Sequence, residues 1–246
     1  KDIELKDITD DLCVFGLFGP KSRDLMKVMS KDNFDNDDFK FGTAKYITIE
    51  GTKIWCQRLS YVGELGYELY VEFKDSKKIY EFITNKGKDF NLSNCGMHAM
   101  DIMRMESGFL HWGHDISPEE NQYQAGLSFT ISKKKDVDFI GKKAIEKIKK
   151  EKTKTRFAMF TLKKSEPGKP LLLHDEPIYI EDKIIGRSTS GNYSFNFKKN
   201  LVFGYIKNDL SNDELQSKNL FIEVEKQKYP IVVQSGPLKQ TDFKNL

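Results

Sequence analysis

The sequence contains few cysteines, and their spacing gives no sign of pairing. Cys13, Cys56 and Cys95 are far apart, their number is odd and no CxxC pair occurs. This spacing argues against a disulfide framework and against a zinc knot built on cysteine pairs. It is typical of isolated thiols in a reducing compartment, so we expect a cytoplasmic chain.

Long apolar runs and a signal peptide are also missing. No run of about 18 apolar residues occurs, which predicts that the chain does not span a membrane. The N-terminal residues Lys1 to Glu4 do not resemble the start of a signal peptide, and the chain begins without Met. We therefore expect it to be cut from something longer.

The chain has no strong excess of charge of either sign, with 40 Lys and Arg against 37 Asp and Glu. The local exception is residues 133–156, with eleven Lys or Arg against four Asp or Glu. Phe139 is the one aromatic residue there, whereas a nucleic-acid patch needs interleaved aromatics or a docking motif. A solvated helix face explains the lysines better, so we expect no nucleic-acid partner.

Aromatic residues, in contrast, are frequent. Eighteen Phe and ten Tyr favour a packed globular core over disorder. Alternating or short apolar runs predict strands at 12–18, 46–49, 54–56 and 68–73. Helical spacing predicts a helix after Pro20, one capped by Asp75 or Ser76, one from about 96 to 107 and one at 141–150. In the third of these helices, Met97, Met100 and Met103 are interpreted as core residues.

The last third of the chain has a different pattern. Residues 149–156 contain no apolar residue and form a candidate linker. The short runs that follow predict strands at 157–162, 171–174, 177–180, 201–206, 219–224 and 229–233. Short strands without a long helix are typical of a small antiparallel barrel or sandwich. We therefore predict two domains, residues 1–152 and 153–246.

Residues 58–73 hold the first candidate site. Gly63 and Gly66 bracket a Glu-Leu pair, and a strictly alternating strand begins at Glu68. By alternation alone, Glu68 is a solvent-facing carboxylate at the rim of a sheet, and Tyr61 and Tyr70 are ordinary amphipathic aromatics.

Residues 108–116 hold the second candidate site. His111, His114 and Asp115 lie close together in sequence. Zinc sites usually need three or four ligands, and no Cys or further His follows at a suitable spacing. We predict no metal.

Residues 60–70 read Ser-Tyr-Val-Gly-Glu-Leu-Gly-Tyr-Glu-Leu-Tyr. This segment, together with collinear segments at 96–106, 112–115, 124–127, 138–144, 188–194 and 203–206, resembles the glycine cleavage T-protein superfamily of aminomethyltransferases. The amino-acid sequences at 61–68 and 112–115 are similar to those of the C-terminal folate-binding module of dimethylglycine and sarcosine dehydrogenases.

The resemblance implies an α+β fold: an incomplete cloverleaf folate-binding aminomethyltransferase fold followed by a small antiparallel C-terminal β-barrel. It implies tetrahydrofolate as cofactor, bound by Tyr61, Glu68, Leu69 and Tyr70. Glu68 would hold the pterin, because its 2-amino-4-oxo edge offers two adjacent N–H donors to the two oxygens of a carboxylate.

The implied function is one-carbon transfer in a dimethylglycine or sarcosine dehydrogenase-like enzyme. The module would capture the oxidised N-methyl carbon of a small methylated amine or amino acid as 5,10-methylenetetrahydrofolate. FAD would bind only in a missing upstream domain, since no GxGxxG occurs here. If the source is eukaryotic, the mitochondrial matrix is the implied compartment.

Two departures and two alternatives accompany this resemblance. Met100 stands where the glycine-cleavage proteins have a folate-contacting Arg, and their key aspartate would lie upstream of residue 1, so no catalytic residue is assigned. One alternative is a stand-alone folate-dependent aminomethyltransferase or demethylase. The other is a non-catalytic regulatory module with the same fold.

Overall fold

A computed structural model of the chain describes residues 2–132, 138–240, 242, 244 and 245. Contacts divide the chain into two compact units, Lys1–Met100 with Gln240–Leu246 (unit 1) and Asp101–Lys239 (unit 2). The described helices are α1 (Ser22–Met29), α2 (Phe73–Gly87), α3 (Met97–Glu106), α4 (Lys142–Lys150) and α5 (Asn212–Gln216). Short 3-10 turns lie at Thr9–Asp11, Lys88–Phe90 and Ser128–Thr130.

Unit 1 is built on an antiparallel sheet of four strands. These are β1 (Leu12–Phe18), β2 (Ala44–Ile49), β3 (Thr52–Gln57) and β4 (Gly66–Glu72), in the order β1-β4-β3-β2. Glu50 and Gly51 join β2 to β3 with positive φ angles of 49° and 74°. Such a two-residue turn has the twist that an antiparallel hairpin requires. The strands predicted in this region are confirmed.

The core of unit 1 lies on one face of that sheet. Alternate residues of each strand point to this face, among them Leu17, Ile47, Ile54 and Leu69, and all four are buried. Helices α1 and α2 cover it with apolar faces that contain Leu25, Met26, Met29, Ile79 and Ile83. The opposite face of the sheet therefore carries the residues that the core does not use.

Two details of the predicted helices are wrong. Helix α2 begins at Phe73, before the predicted caps, and Phe73 is 66% exposed rather than the last inward residue of a strand. In α3, Met97 is 69% exposed and Met100 and Met103 are partly exposed, while Ile102, Arg104, Met105 and Glu106 are buried. The helix turns its charged stripe inward because buried partners satisfy the charges.

Helix α4 is confirmed, and its lysines point outward as predicted. No residue of the helix is buried, and Ile145 and Ile148 are half-buried while Ala144 is exposed. The first five residues of the basic stretch, 133–137, lie outside the described residues.

Unit 2 contains a closed antiparallel barrel, so the predicted C-terminal barrel is confirmed. Its strands are β5 (Thr155–Leu162), β6 (Pro177–Ile180), β7 (Lys183–Ser194), β8 (Lys199–Lys207), β9 (Leu220–Val224) and β10 (Gln227–Gln234). Their order around the barrel is β10-β5-β8-β7-β6-β9. An apolar core that includes Phe160, Ile178, Val202 and Ile231 fills the barrel.

The sequence prediction missed the longest strand and placed one that does not form. Strand β7 has no continuous apolar run, because Ser188, Thr189 and Ser190 occupy its buried middle, where the register shifts. Residues 171–174 form an irregular segment in which Leu172 alone is buried. Only the side chain of Leu172 packs against the barrel. The sequence 171–173 is three consecutive leucines, and such a short apolar run looks the same whether it forms a strand or an irregular segment.

A buried ion pair joins three segments of unit 2. The Arg104 guanidinium bonds to the Asp115 carboxylate, and the two side chains are 1% and 0% exposed. Arg104 also donates to Ser190 Oγ at 2.8 Å and to the Phe109 carbonyl at 3.0 Å. Asp115 accepts from Thr189 at 2.6 Å, from Ser190 at 2.8 Å and from the backbone N–H of His111 at 2.9 Å.

The Arg104–Asp115 pair predicts a large loss of stability when one partner is removed. Arg104→Met leaves a buried carboxylate without its cation, which costs about 3–5 kcal/mol in free energy of unfolding. Arg187→Met is the matched control, because Arg187 and Asp175 form an ion pair with side chains 65% and 54% exposed. We expect the control to lose at most about 1 kcal/mol. Urea unfolding measures both, and equal losses would contradict the prediction.

Two glycines allow close approach of β7 and β8. A Cβ on Gly186 would lie 2.0 Å from the Tyr205 carbonyl oxygen, and one on Gly204 would lie 2.4 Å from the Arg187 carbonyl oxygen. Gly186→Ala is expected to destabilise the fold by about 1–3 kcal/mol, because backbone has to move. Gly236→Ala, where a Cβ would meet nothing within 4 Å, should leave the melting temperature unchanged or slightly raised. Equal melting temperatures of the two variants would count against the close approach.

Because the cysteines differ in burial, we expect them to react selectively with an alkylating reagent. Burial raises the pKa of the Cys56 thiol to about 12, so at pH 8 this thiol stays protonated and shielded, whereas Cys95 is exposed. We expect iodoacetamide at pH 8 to modify Cys95 in the native protein and Cys56 only after denaturation. Peptide mass spectrometry distinguishes the sites, and rapid native labelling of Cys56 would be inconsistent with its burial.

Candidate functional site

The face of the unit 1 sheet that the core does not use carries two of the four predicted site residues, Glu68 and Tyr70. We call it the open face and define it by Val14, Gly16, Phe18, Tyr46, Trp55, Gln57, Gly66, Glu68 and Tyr70, which the strand registers place on one side. Glu68 lies near its centre. Its cross-strand neighbours are Gly16 on β1 and Gln57 on β3.

Glu68 is half-buried, and Tyr70 orients it. The Tyr70 hydroxyl donates a hydrogen bond to Oε2 of Glu68 at 2.9 Å, as two residues on the same strand face can. Burial and, after it, this hydrogen bond raise the pKa of Tyr70, so the hydroxyl remains a donor at neutral pH. In the part of the chain that the structure describes, Oε1 of Glu68 has no hydrogen-bond partner. Oε1 of Glu68 is thus available to accept a hydrogen bond from a ligand, while the Tyr70 hydroxyl holds Oε2 in place.

The other two predicted residues occupy different surroundings. Leu69 is fully buried in the core of unit 1, so its side chain points away from Glu68. Tyr61 lies in the loop that leads into β4 and is half-buried. This loop is held at its end by Leu65, whose carbonyl accepts from the Gly19 N–H at 2.8 Å and from Ser22 Oγ at 3.2 Å.

The sequence prediction missed the aromatic residues beside this site. Tyr46 and Trp55 are cross-strand partners on the open face, with ring centroids 4.9 Å apart in an edge-to-face arrangement. Lys53 lies over the Tyr46 ring at 4.3 Å. The alternation of 44–49 and 52–57 contained the signal, because outward positions of a hairpin pair across its turn. The sheet order places Trp55 next to β4, opposite Tyr70, and Tyr46 one strand further away.

The histidine segment forms a separate polar cleft in unit 2. His111 and His114 have ring centroids 4.6 Å apart, and His174 lies 6.4 Å from His114. A cleft of about 520 Å³ is lined by His114, Glu120, His174, Asp175, Arg187, Tyr205 and their neighbours. Among the described residues, no group of three or more His, Cys, Asp or Glu could hold a metal ion. Asp115, the third residue of the sequence motif, instead belongs to the buried ion pair.

Comparison with known proteins follows the two parts of the chain. Residues 1–135 match the GCVT N-terminal domain, and residues 156–239 match the glycine cleavage T-protein C-terminal barrel domain.

Among the helices described, none is long and apolar enough to cross a bilayer.

Similar proteins include two kinds of enzyme. The chain is 34% identical to mitochondrial dimethylglycine dehydrogenase of Homo sapiens, over 98% of this chain and 27% of that protein. It is 30% identical to mitochondrial sarcosine dehydrogenase of Mus musculus, over 83% of this chain and 22% of that protein. It is also 30% identical to an aminomethyltransferase of Symbiobacterium thermophilum, over 83% of this chain and 54% of that protein. The chain thus spans about a quarter of the length of the dehydrogenases that it matches.

A solved structure shows the same fold. Aminomethyltransferase T of the glycine cleavage system from Bartonella henselae superposes with a TM-score of 0.79 at 19% identity, over 93% of this chain and 60% of that one. The predicted α+β class, an incomplete version of that fold, is confirmed. From its two family matches, the chain belongs to the glycine cleavage T-protein family.

Proposed function

We propose that the chain is the tetrahydrofolate-binding, one-carbon transfer module of a dimethylglycine or sarcosine dehydrogenase-like enzyme. Its task is to capture the oxidised N-methyl carbon of a small methylated amine or amino acid. The similarity to both dehydrogenases covers most of this chain and about a quarter of theirs, which leaves room in such a protein for the predicted flavin domain. We also propose domains divided near residue 152, within the gap between the two family matches.

The observation that supports this proposal is the environment of Glu68. One carboxylate oxygen is held by the Tyr70 hydroxyl, and the other has no partner among the described residues. A half-buried carboxylate so oriented fits the paired N–H donors on the 2-amino-4-oxo edge of a pterin. Bound tetrahydrofolate would supply the nitrogen atoms that accept the one-carbon unit.

The residues of this chain would act by binding and orientation. Glu68 would grip the pterin edge, Tyr70 would hold Glu68 in place, and Tyr61 would pack or hydrogen-bond along the cofactor. The Leu69 side chain would not touch the cofactor; it packs in the core and so holds strand β4 in place. We assign no catalytic acid or base, because the resemblance places the family's key aspartate upstream of residue 1. Positioning and exclusion of water would be the main contribution of these residues to the rate.

A stand-alone aminomethyltransferase is the second candidate. It is favoured by the match to the Symbiobacterium thermophilum enzyme, of which this chain covers 54%. The two candidates share the folate site and differ in the flavin. Absorbance of the purified full-length protein near 450 nm distinguishes them, since a bound flavin supports the dehydrogenase.

The proposal predicts that tetrahydrofolate affinity depends on Glu68. Glu68→Gln keeps the shape but loses the charge-assisted pair, so the dissociation constant should rise by about 10- to 150-fold, equivalent to about 1.5–3 kcal/mol. Calorimetry with tetrahydrofolate and the full-length protein measures it, and the melting temperature should be unchanged.

Glu72→Gln is the matched control for this experiment. Glu72 lies on the same strand and faces the same side, but it is exposed and pairs with Lys74. Glu72→Gln should therefore leave the affinity for tetrahydrofolate unchanged. Equal affinities of wild type and Glu68→Gln would remove the basis of the folate proposal.

A further inference from the structure

The last residue of β1 has an unusual position on the open face. Phe18 pairs across the sheet with Gly66, and Gly16, two residues earlier, pairs with Glu68. A Cβ on Gly16 would lie 2.5 Å from Cε2 of Phe18, and a Cβ on Gly66 would lie 2.3 Å from its Cδ1. The Phe18 ring therefore lies across both glycines, closer to the sheet than any side chain would permit.

Both glycines are also neighbours of Glu68 on the open face. Gly16 is its cross-strand partner, and Gly66 is two residues before it on the same strand face. The Phe18 ring thus covers two positions of the open face that flank Glu68. Phe18 is half-buried, so part of the ring remains accessible while the rest packs on backbone.

A carboxylate that grips the edge of a flat heterocycle fixes the heterocycle's plane, and an aromatic ring beside it can then stack in an offset arrangement. We propose that Phe18 is the stacking surface for the ring that Glu68 holds, and that the missing Cβ of Gly16 lets Phe18 lie flat; at Gly66 a Cβ would also meet the Leu59 carbonyl oxygen at 2.7 Å. This inference rests on the proposed function and adds to it a residue that selects the flat pyrimidinone ring of the pterin.

The competing interpretation is purely structural. Aromatic side chains often cover a cross-strand glycine and stabilise the sheet by doing so. A purely structural Phe18 would affect the melting temperature and leave ligand affinity unchanged, so affinity and stability separate the two roles.

The test compares variants of the full-length protein by calorimetry, with tetrahydrofolate and with 6-methyltetrahydropterin, which lacks the aminobenzoyl-glutamate tail. Phe18→Leu should weaken the binding of both ligands by the same factor, about 2- to 12-fold, because the lost contact is with the pterin. Phe18→Tyr keeps a ring and should restore most of the affinity. Phe73→Leu removes an exposed aromatic elsewhere in unit 1 and should change nothing.

Gly16→Ala provides an independent arm. The added methyl meets the far end of the Phe18 ring, which can swing away, so the protein should fold while affinity falls as in Phe18→Leu. In the wild type, saturation with 6-methyltetrahydropterin should shift the Phe18 ring proton resonances upfield.

The outcomes separate the two proposals. If wild type binds tetrahydrofolate in a Glu68-dependent way but Phe18→Leu and Gly16→Ala bind equally well, the stacking role is wrong and the folate site stands. If the wild type does not bind either ligand, or binds them independently of Glu68, both proposals are wrong.

Discussion

The candidate site depends on the two-sided character of strand β4. Because side chains alternate along a strand, Leu69 and Val71 enter the core while Glu68 and Tyr70 take the opposite face. A register slip of one residue would bury the Glu68 carboxylate in an apolar core and expose two large side chains, at a high cost in free energy. The packing of α1 and α2 against one face therefore also holds Glu68 in place on the other.

The Glu68 environment combines three features that strengthen one another. Partial burial lowers the local dielectric, so a hydrogen bond to the carboxylate is stronger there than in water. The Tyr70 hydroxyl reduces the freedom of the carboxylate, which lowers the entropic cost of binding. The Phe18 ring lies over Gly16 and Gly66, the two positions that flank Glu68 on the open face. Rigid strands, rather than loops, support all three side chains.

In unit 2, by contrast, charged and polar side chains are buried in the interior and form hydrogen bonds and ion pairs there. Arg104, Asp115 and the serine-rich middle of β7 form a network in which each charged group has several partners. Removal of one member leaves the others without compensation. The histidines beside this network border a cleft but do not form a metal site among the described residues.

Much of the fold and part of the site could be predicted from the sequence. Alternation and helical spacing determined the strands of unit 1, most helices, the barrel and the outward position of Glu68, because these depend on local periodicity. Tertiary structure decided the rest. The middle of β7 is buried although it is polar, because Asp115 and Arg104, far away in the sequence, satisfy the hydroxyls of Thr189 and Ser190. Glu106 on α3 is buried because Ser194 donates a hydrogen bond to it. The position of Phe18 beside Glu68 required the pairing of β1 with β4, which are 48 residues or more apart at their outward positions and whose contact no local pattern encodes.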